Sequence, residues 1–163
     1  MNLHLAKLKE SDFVVVKEIY DYYIATTTAT FHTEPVTIEE LQSVILTEHP
    51  RYKSYLIYSE GEVCGYCYLS QYKKRQAYDR TAEISIYLRN DFTGKGIGAH
   101  VLQQMEKLAA EQSIHVLIAI ISEENQSSVK LFERLGYEKC AHFRQVGEKF
   151  GRLLDIVAYQ KMI

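Results

Sequence analysis

Hydrophobic positions follow two rhythms along this chain, and the switch between them is sharpest over residues 81–98. Ala82, Ile84, Ile86 and Leu88 alternate with Glu83, Ser85 and Tyr87, the period of a strand with one buried face. Further on, Ile97, Val101, Leu102, Met105, Leu108 and Ala109 recur three or four residues apart, which predicts a helix ending near Gln112. Between the two lie a polar loop, residues 89–93, and three alternate glycines, Gly94, Gly96 and Gly98. A glycine-rich loop thus sits where a strand passes into a helix.

The same rhythms divide the rest of the chain. Residues 3–8 alternate as a strand. Ser11 or Asp12 can cap a helix running to about Ile24 through Phe13, Val16, Ile19, Tyr20 and Tyr23. A Thr-rich loop, residues 26–35, holds Phe31 and His32. Thr37 and Glu40 have capping-box spacing for a helix to about Glu48, closed by Pro50. Strands at 54–59 and 63–71 flank the turn Glu60-Gly61-Glu62 as a hairpin. After the charged, aromatic loop 72–80 come the central strand, glycines and helix. The apolar run 116–121 reads as a strand buried on both faces. Asn125 or Ser127 caps a helix to Leu135, stopped by Gly136. Strands at 138–145 and 152–161, joined by residues 146–151, end the chain. The order β-α-α-β-β-β-α-β-α-β-β predicts a single α/β (α+β) domain over residues 1–163: one mixed, mostly antiparallel central sheet flanked by about four helices.

The glycine loop carries the first chemical signal. Backbone N–H groups at a helix start lack partners, and the helix dipole makes that end partly positive. Glycines let a ligand approach the backbone. Such a loop cradles phosphate oxygens, and Lys95 can add a cation; the plainer alternative is a tight turn. No GxxxxGK[ST] string exists. Gly94, Gly96 and Ala99 fit GxGxxA, with Glu123 or Glu124 at the end of the next strand, but residues 89–92 separate these glycines from their strand and no repeated βαβ units surround them. Dinucleotide binding is therefore not expected.

Composition narrows the classes further. A chain of 163 residues suffices for one core. A net charge of −2 leaves no basic footprint for nucleic acid. No apolar run reaches the ~18–20 residues of a membrane span, and the charged, alternating start is unlike a signal peptide, so a cytoplasmic protein is expected. Cys64 and Cys67 have CxxC spacing inside a strand, where residues three apart point to opposite faces. With no second pair, and with scattered histidines, no metal site is expected; Cys64, Cys67 and Cys140 read as reduced and packed.

Thr93-Gly94-Lys95-Gly96-Ile97-Gly98 resembles the pyrophosphate loop Q/R-x-x-G-x-G/A of the GCN5-related N-acetyltransferases (GNAT), with Thr93 in place of Gln or Arg. The element order resembles that family too, over nearly the whole chain. Three strings resemble its phosphinothricin and methionine sulfoximine/sulfone branch: residues 27–35 (TTATFHTEP), 72–87 (YKKRQAYDRTAEISIY) and 146–155 (VGEKFGRLLD). Tyr72 and Leu153 stand where the branch carries Trp.

The resemblance implies an acetyl-CoA-dependent N-acetyltransferase acting on the primary amine of a small amino-acid-like compound, by direct attack in a ternary complex. It implies Glu83 as catalytic base, for which the alternative is a solvated glutamate. It implies cofactor binding by Ile86, Tyr87 and Leu88 along the strand, by Gly94, Lys95, Gly96, Ile97, Gly98 and Ala99 in the loop, and by Asn125. A backbone N–H near Leu88, where the family's strand splays, would polarise the carbonyl. Phe31, Lys73, Arg75 and Tyr78 would meet the substrate, cations suiting a carboxylate; without the resemblance, loop 72–80 reads as a solvated charged loop. Many relatives place a Tyr acid four residues before the Gly of their Gly-aromatic motif; here that position is Phe132. A homodimer is expected from the family alone. The other readings are acetylation of a protein N-terminus or a polyamine, a non-catalytic acetyl-CoA-binding module, and a nucleotide-binding regulator.

Overall fold

The computed structural model describes residues 1–163. In chain order the elements are β1 (Leu3–Lys7), α1 (Phe13–Thr26), α2 (Ile38–Val44), β2 (Ser54–Ser59), β3 (Glu62–Gln71), β4 (Thr81–Leu88), α3 (Ile97–Glu111), β5 (Val116–Ser122), α4 (Gln126–Arg134), β6 (Glu138–Lys149) and β7 (Arg152–Met162). The seven strands form one sheet in the order β1-β2-β3-β4-β5-β7-β6. Every pairing is antiparallel except β4 with β5. The expected mixed sheet with four helices is therefore the observed architecture.

Two apolar layers cover the sheet. Leu8, Phe13, Val16, Ile19, Ile24, Leu41 and Ile45 join Leu56 and Tyr66 on the α1/α2 face. Ile97, Val101, Leu102, Met105, Val129 and Phe132 join Ile57, Leu69, Ile84 and Leu117 on the α3/α4 face.

Local geometry corrects several expectations. Helix α2 stops at Val44 rather than near Glu48, because Ile45 turns extended (φ −93°, ψ 101°) and drives its side chain into the α1 core. At the start of α1, Asp12 caps the Lys9 N–H (2.9 Å) of the preceding turn instead of the helix itself. A bulge in the β2–β3 ladder at Ile57/Tyr58 leaves Cys64 as the unpaired residue, so Cys64 and Cys67 are buried in the same layer rather than on opposite faces. Cys140 is exposed, not packed. Strand β6 absorbs most of the expected linker: it pairs with β7 to Lys149↔Arg152. Phe150 (φ 53°) and Gly151 (φ 70°) then make a two-residue turn whose positive φ values suit the twist of a hairpin.

The β5 expectation also needs revision. Leu117, Ala119 and Ile121 are buried, but Ile120 is 40% exposed. The reason lies in the pairing. β4 and β5 share only Thr81↔Val116, Ala82↔Leu117 and Glu83↔Ile118. Beyond these rungs β4 stays with β3 as far as Leu88↔Gly65, while β5 stays with β7 as far as Ser122↔Ile156. The sheet forks, and one face of β5 opens onto the gap. Gly65 permits this: a Cβ there would collide with the Tyr87 carbonyl and the Leu88 backbone, so only glycine lets β3 hold the end of β4 so closely.

Candidate active site

The fork continues into a groove of about 540 Å³. One wall is the free edge of β4. Arg89 N–H bonds the Cys64 carbonyl (2.8 Å) on the β3 side. Backbone groups alternate in direction along a strand, so the amides of Ile86 and Leu88 face the other way, into the gap, where β5 no longer meets them. Leu88 C=O has one partner: the Tyr23 hydroxyl of α1 donates to it. The opposite wall comes from Ala119, Ile120 and Ile121 of β5 and from Leu131 and Phe132 of α4.

The groove ends at the glycine loop. Gly94 (φ 72°) and Gly96 (φ 81°) are left-handed, a conformation that fits glycine best. Gly96 precedes α3 with no side chain capping the helix. The N–H groups of Ile97, Gly98 and Ala99 are thus left for an external acceptor. Gly98 serves packing instead of turning: a Cβ there would lie 3.2 Å from Leu131 Cδ2, so its absence brings the first turn of α3 against α4. Asn125 starts α4, where its Oδ1 accepts from the Ser128 N–H (3.4 Å) and from the Ser127 O–H (3.1 Å).

Of the residues singled out from the sequence, Ile86, Tyr87, Leu88, Gly94, Gly96, Gly98, Ala99 and Asn125 line this groove together. The Ile97 side chain is core, leaving only its backbone for a ligand. Lys95 is exposed, its ammonium 5.2 Å from the Phe92 ring centroid. Glu83 stands at the crotch of the fork, paired with Ser70 across β3 and one residue before groove-lining Ile84. Burial raises its carboxyl above the ordinary glutamate range, with no cation to offset it. The same β4 face carries Ser85 and Tyr87 beside Tyr68 and Tyr66 of β3, and burial pushes the Tyr68 hydroxyl up to about 12.

The other residues lie apart. Lys73 and Arg75 are exposed in a loop at the far end of β4. Its Tyr72 and Tyr78 rings meet edge to face at 5.8 Å, and Arg51 Nη1 anchors the loop to the Asp79 carbonyl (3.1 Å). Phe31 packs its ring on Gly147, where any Cβ would collide with it. Leu153 is 58% exposed on the β6–β7 hairpin. Phe31, Lys73, Arg75, Tyr78, Tyr72 and Leu153 are all outside the groove lining.

Several lining residues were not singled out from the sequence as site residues, although Tyr23 was read as a helix position and Thr27, Thr28 and Ala29 belong to the 27–35 string. Tyr23 and Thr27, Thr28 and Ala29 reach the groove from a segment remote in sequence from β4. Thr28 donates to Glu124, which also takes a two-pronged contact from Arg152 (2.9 and 3.0 Å). This ties the loop after α1 to the β5–α4 junction and to β7. Arg152 and Thr28 together hold the Glu124 carboxyl down at about 2. Gly65, which lies behind the groove wall on β3, carried a local cue of its own, a glycine inside a strand.

Comparison with known proteins agrees with this layout. The family described as acetyltransferase (GNAT) domain matches residues 5–158. The L-methionine sulfoximine/L-methionine sulfone acetyltransferase of Pseudomonas aeruginosa is 34% identical over 92% of this chain and 88% of its own. The phosphinothricin N-acetyltransferase of Streptomyces coelicolor is 31% identical over 93% and 91%. The crystal structure of a GNAT superfamily phosphinothricin acetyltransferase from Sinorhizobium meliloti, in complex with acetyl-CoA, superposes with a TM-score of 0.91 at 28% identity, covering 100% of this chain and 89% of that one. With a forked sheet, a glycine-walled helix start and relatives matching over nearly its whole length, the chain belongs to the GNAT family of N-acetyltransferases.

Proposed function

We propose that residues 1–163 act as one catalytic unit that moves the acetyl group of acetyl-CoA to the primary amine of a small amino-acid-like substrate of the phosphinothricin, methionine sulfoximine or methionine sulfone type. The observation that carries this reading is the fork itself: free Ile86 and Leu88 amides run from Glu83 toward the unbonded N–H groups at the start of α3. The pantetheine arm fits the missing strand between β4 and β5. Ile97, Gly98 and Ala99 would bond the pyrophosphate, with Gly94 and Gly96 clearing its approach, Lys95 adding charge and Asn125 closing the α4 side.

Chemistry then follows from position. Acetyl-CoA supplies an activated carbonyl. Leu88 N–H would polarise that carbonyl. Glu83, its proton affinity raised by burial, would take the proton of the attacking amine directly or through water, in a ternary complex. Relatives named for phosphinothricin and for methionine sulfoximine support the amino-acid-like substrate class. Phe31, Lys73, Arg75 and Tyr78 are proposed to meet that substrate, the cations taking its carboxylate. A cytoplasmic location fits the reading. So does a homodimer: Phe143, Val146, Phe150 and Leu153 are each more than half exposed on the edge hairpin β6–β7.

The test is thiol release from acetyl-CoA with phosphinothricin, methionine sulfoximine and methionine sulfone, beside spermidine and a peptide with a free N-terminus. Turnover with the first three supports the reading. Turnover only with spermidine or the peptide overturns the substrate class, and tight acetyl-CoA binding without turnover on any amine overturns the enzyme reading.

A further inference from the structure

Breaking a thioester leaves a thiolate that must collect a proton, and the groove offers few groups able to give one. On the α4 wall Leu131 and Phe132 have no hydrogen to donate, and Ser127, Ser128 and the Arg134 guanidinium are weaker acids than a phenol. Serine and threonine hydroxyls are far weaker acids than a phenol. Two phenols line the groove, Tyr23 and Tyr87. The Tyr87 ring is enclosed by Tyr20 (5.4 Å), Tyr23 (5.2 Å) and Tyr66 (5.3 Å). Tyr23 differs. Its hydroxyl is held on the Leu88 carbonyl, and within an extended residue the N–H and C=O point to the same side of the strand. The phenol therefore lies on the edge of β4 that carries the free Leu88 N–H, inside the gap opened past Glu83.

Resting on the acetyl-transfer reading above, the geometry points to Tyr23 as the general acid of this chain: its hydroxyl hands a proton to the departing sulfur, the part Phe132 cannot play from the other wall. Glu83 removes a proton from the amine as nitrogen bonds to the acetyl carbon. The carbon–sulfur bond breaks, sulfur keeps the electron pair, and Tyr23 O–H protonates it. Rotation about the Cζ–O bond turns the hydroxyl hydrogen from the Leu88 carbonyl into the groove. Solvent in the open groove then returns a proton to Tyr23 and removes the one on Glu83, so the products are an amide and a free thiol with both side chains restored. Burial raises the Tyr23 phenol above its ordinary range, which keeps it protonated for each turnover.

Steady-state thiol release tests the assignment with Tyr23→Phe, Phe132→Tyr and the double variant. Phenylalanine at 23 keeps the ring that packs on Tyr87 and Tyr22. We expect kcat to fall about 100-fold in Tyr23→Phe, with the acetyl-CoA dissociation constant within about twofold of wild type by calorimetry. The double variant should regain at least tenfold in kcat, because a phenol is restored on the facing wall. Undiminished kcat in Tyr23→Phe overturns the assignment. So does a loss matched by weakened acetyl-CoA binding and unrelieved by Phe132→Tyr, which would make Tyr23 a brace for Leu88. Absence of turnover in the wild type would instead overturn the acetyl-transfer reading itself.

Discussion

Glu83 and Ile118 form the last rung that joins β4 to β5, so a half-buried carboxylate stands where the sheet divides. That position fixes both its surroundings and its use. The paired ladder lies behind it and the gap between β4 and β5 ahead, where the proposed mechanism brings the amine to a carbonyl on Leu88. Replacing Glu83 by Gln keeps size and removes the proposed base. We expect kcat to fall by about 10²–10⁴ with acetyl-CoA affinity unchanged, read by thiol release and calorimetry.

The same carboxylate should weaken the fold near neutral pH. Its folded pKa lies above the ordinary value of 4.5 because burial disfavours the charge. The native state then binds more protons than the unfolded chain between 4.5 and the folded value, so stability falls as pH rises through that window. Glu83→Gln should melt at a higher temperature than wild type at pH 7, and the difference should vanish below about pH 4, where both states carry a neutral side chain. Thermal scans at the two pH values check this, and an equal gain at both would contradict it.

Gly65→Ala probes the hold of β3 on the end of β4. The new methyl group would strike the Tyr87 carbonyl and the Leu88 backbone. Overpacking of this kind costs about 1–3 kcal/mol, measurable by urea unfolding. Because the collision falls on the groove wall, kcat should drop as well, whereas a methyl added at Gly61 (φ 84°), in open space on the β2–β3 turn and outside the groove lining, should cost stability without touching turnover.

At Gly96 the obstacle is backbone conformation, not crowding. No atom lies within 4 Å of a Cβ there, yet φ is 81°. Gly96→Ala should lose about 1 kcal/mol of stability. It should also raise the KM for acetyl-CoA by roughly tenfold, the equivalent of about 1.4 kcal/mol of binding, if α3 presents its N–H groups to the pyrophosphate. Saturation curves in acetyl-CoA give the answer.

Arg152→Ala separates an exposed ion pair from its mechanical role. Such pairs are screened by solvent and add little to stability, so the melting temperature should hardly move. Yet Arg152 steadies the Glu124 carboxylate that accepts from Thr28, and with it the loop carrying Thr27–Ala29 along the groove. KM for acetyl-CoA should rise several-fold with kcat conserved. A change in melting temperature with no change in KM would contradict this division.

Much of this architecture was legible in the residue pattern, for physical reasons. The alternation through β4, the glycines before α3 and the amphipathic face of α3 are local signals, and each became the expected element. What depends on distant contacts was hidden. The apolar run of β5 looked fully buried because a floor of Ile120 under a cofactor-sized groove is as hydrophobic as a core. The Cys64 side chain changed faces through a bulge that no spacing reveals. Tyr23 lies 65 residues from the Leu88 carbonyl it bonds, so periodicity showed only its helix, not its place at the gap. Lys73 and Arg75 stood out as a charged string, and the fold sets them at the Glu83 end of β4, away from the glycine loop, a placement that spacing alone does not give.

Unpaired strand edges usually occur at the rim of a sheet, where they invite other chains to add on and aggregate. The division past Glu83 places such an edge in the interior, sheltered by Tyr23 on one side and by Leu131 and Phe132 on the other. A slender molecule with amide groups of its own, such as the pantetheine arm proposed above, can complete the ladder there. Occupancy should therefore tighten the whole molecule, slowing hydrogen exchange at Ile86 and Leu88 and lifting thermal resistance in step with ligand concentration.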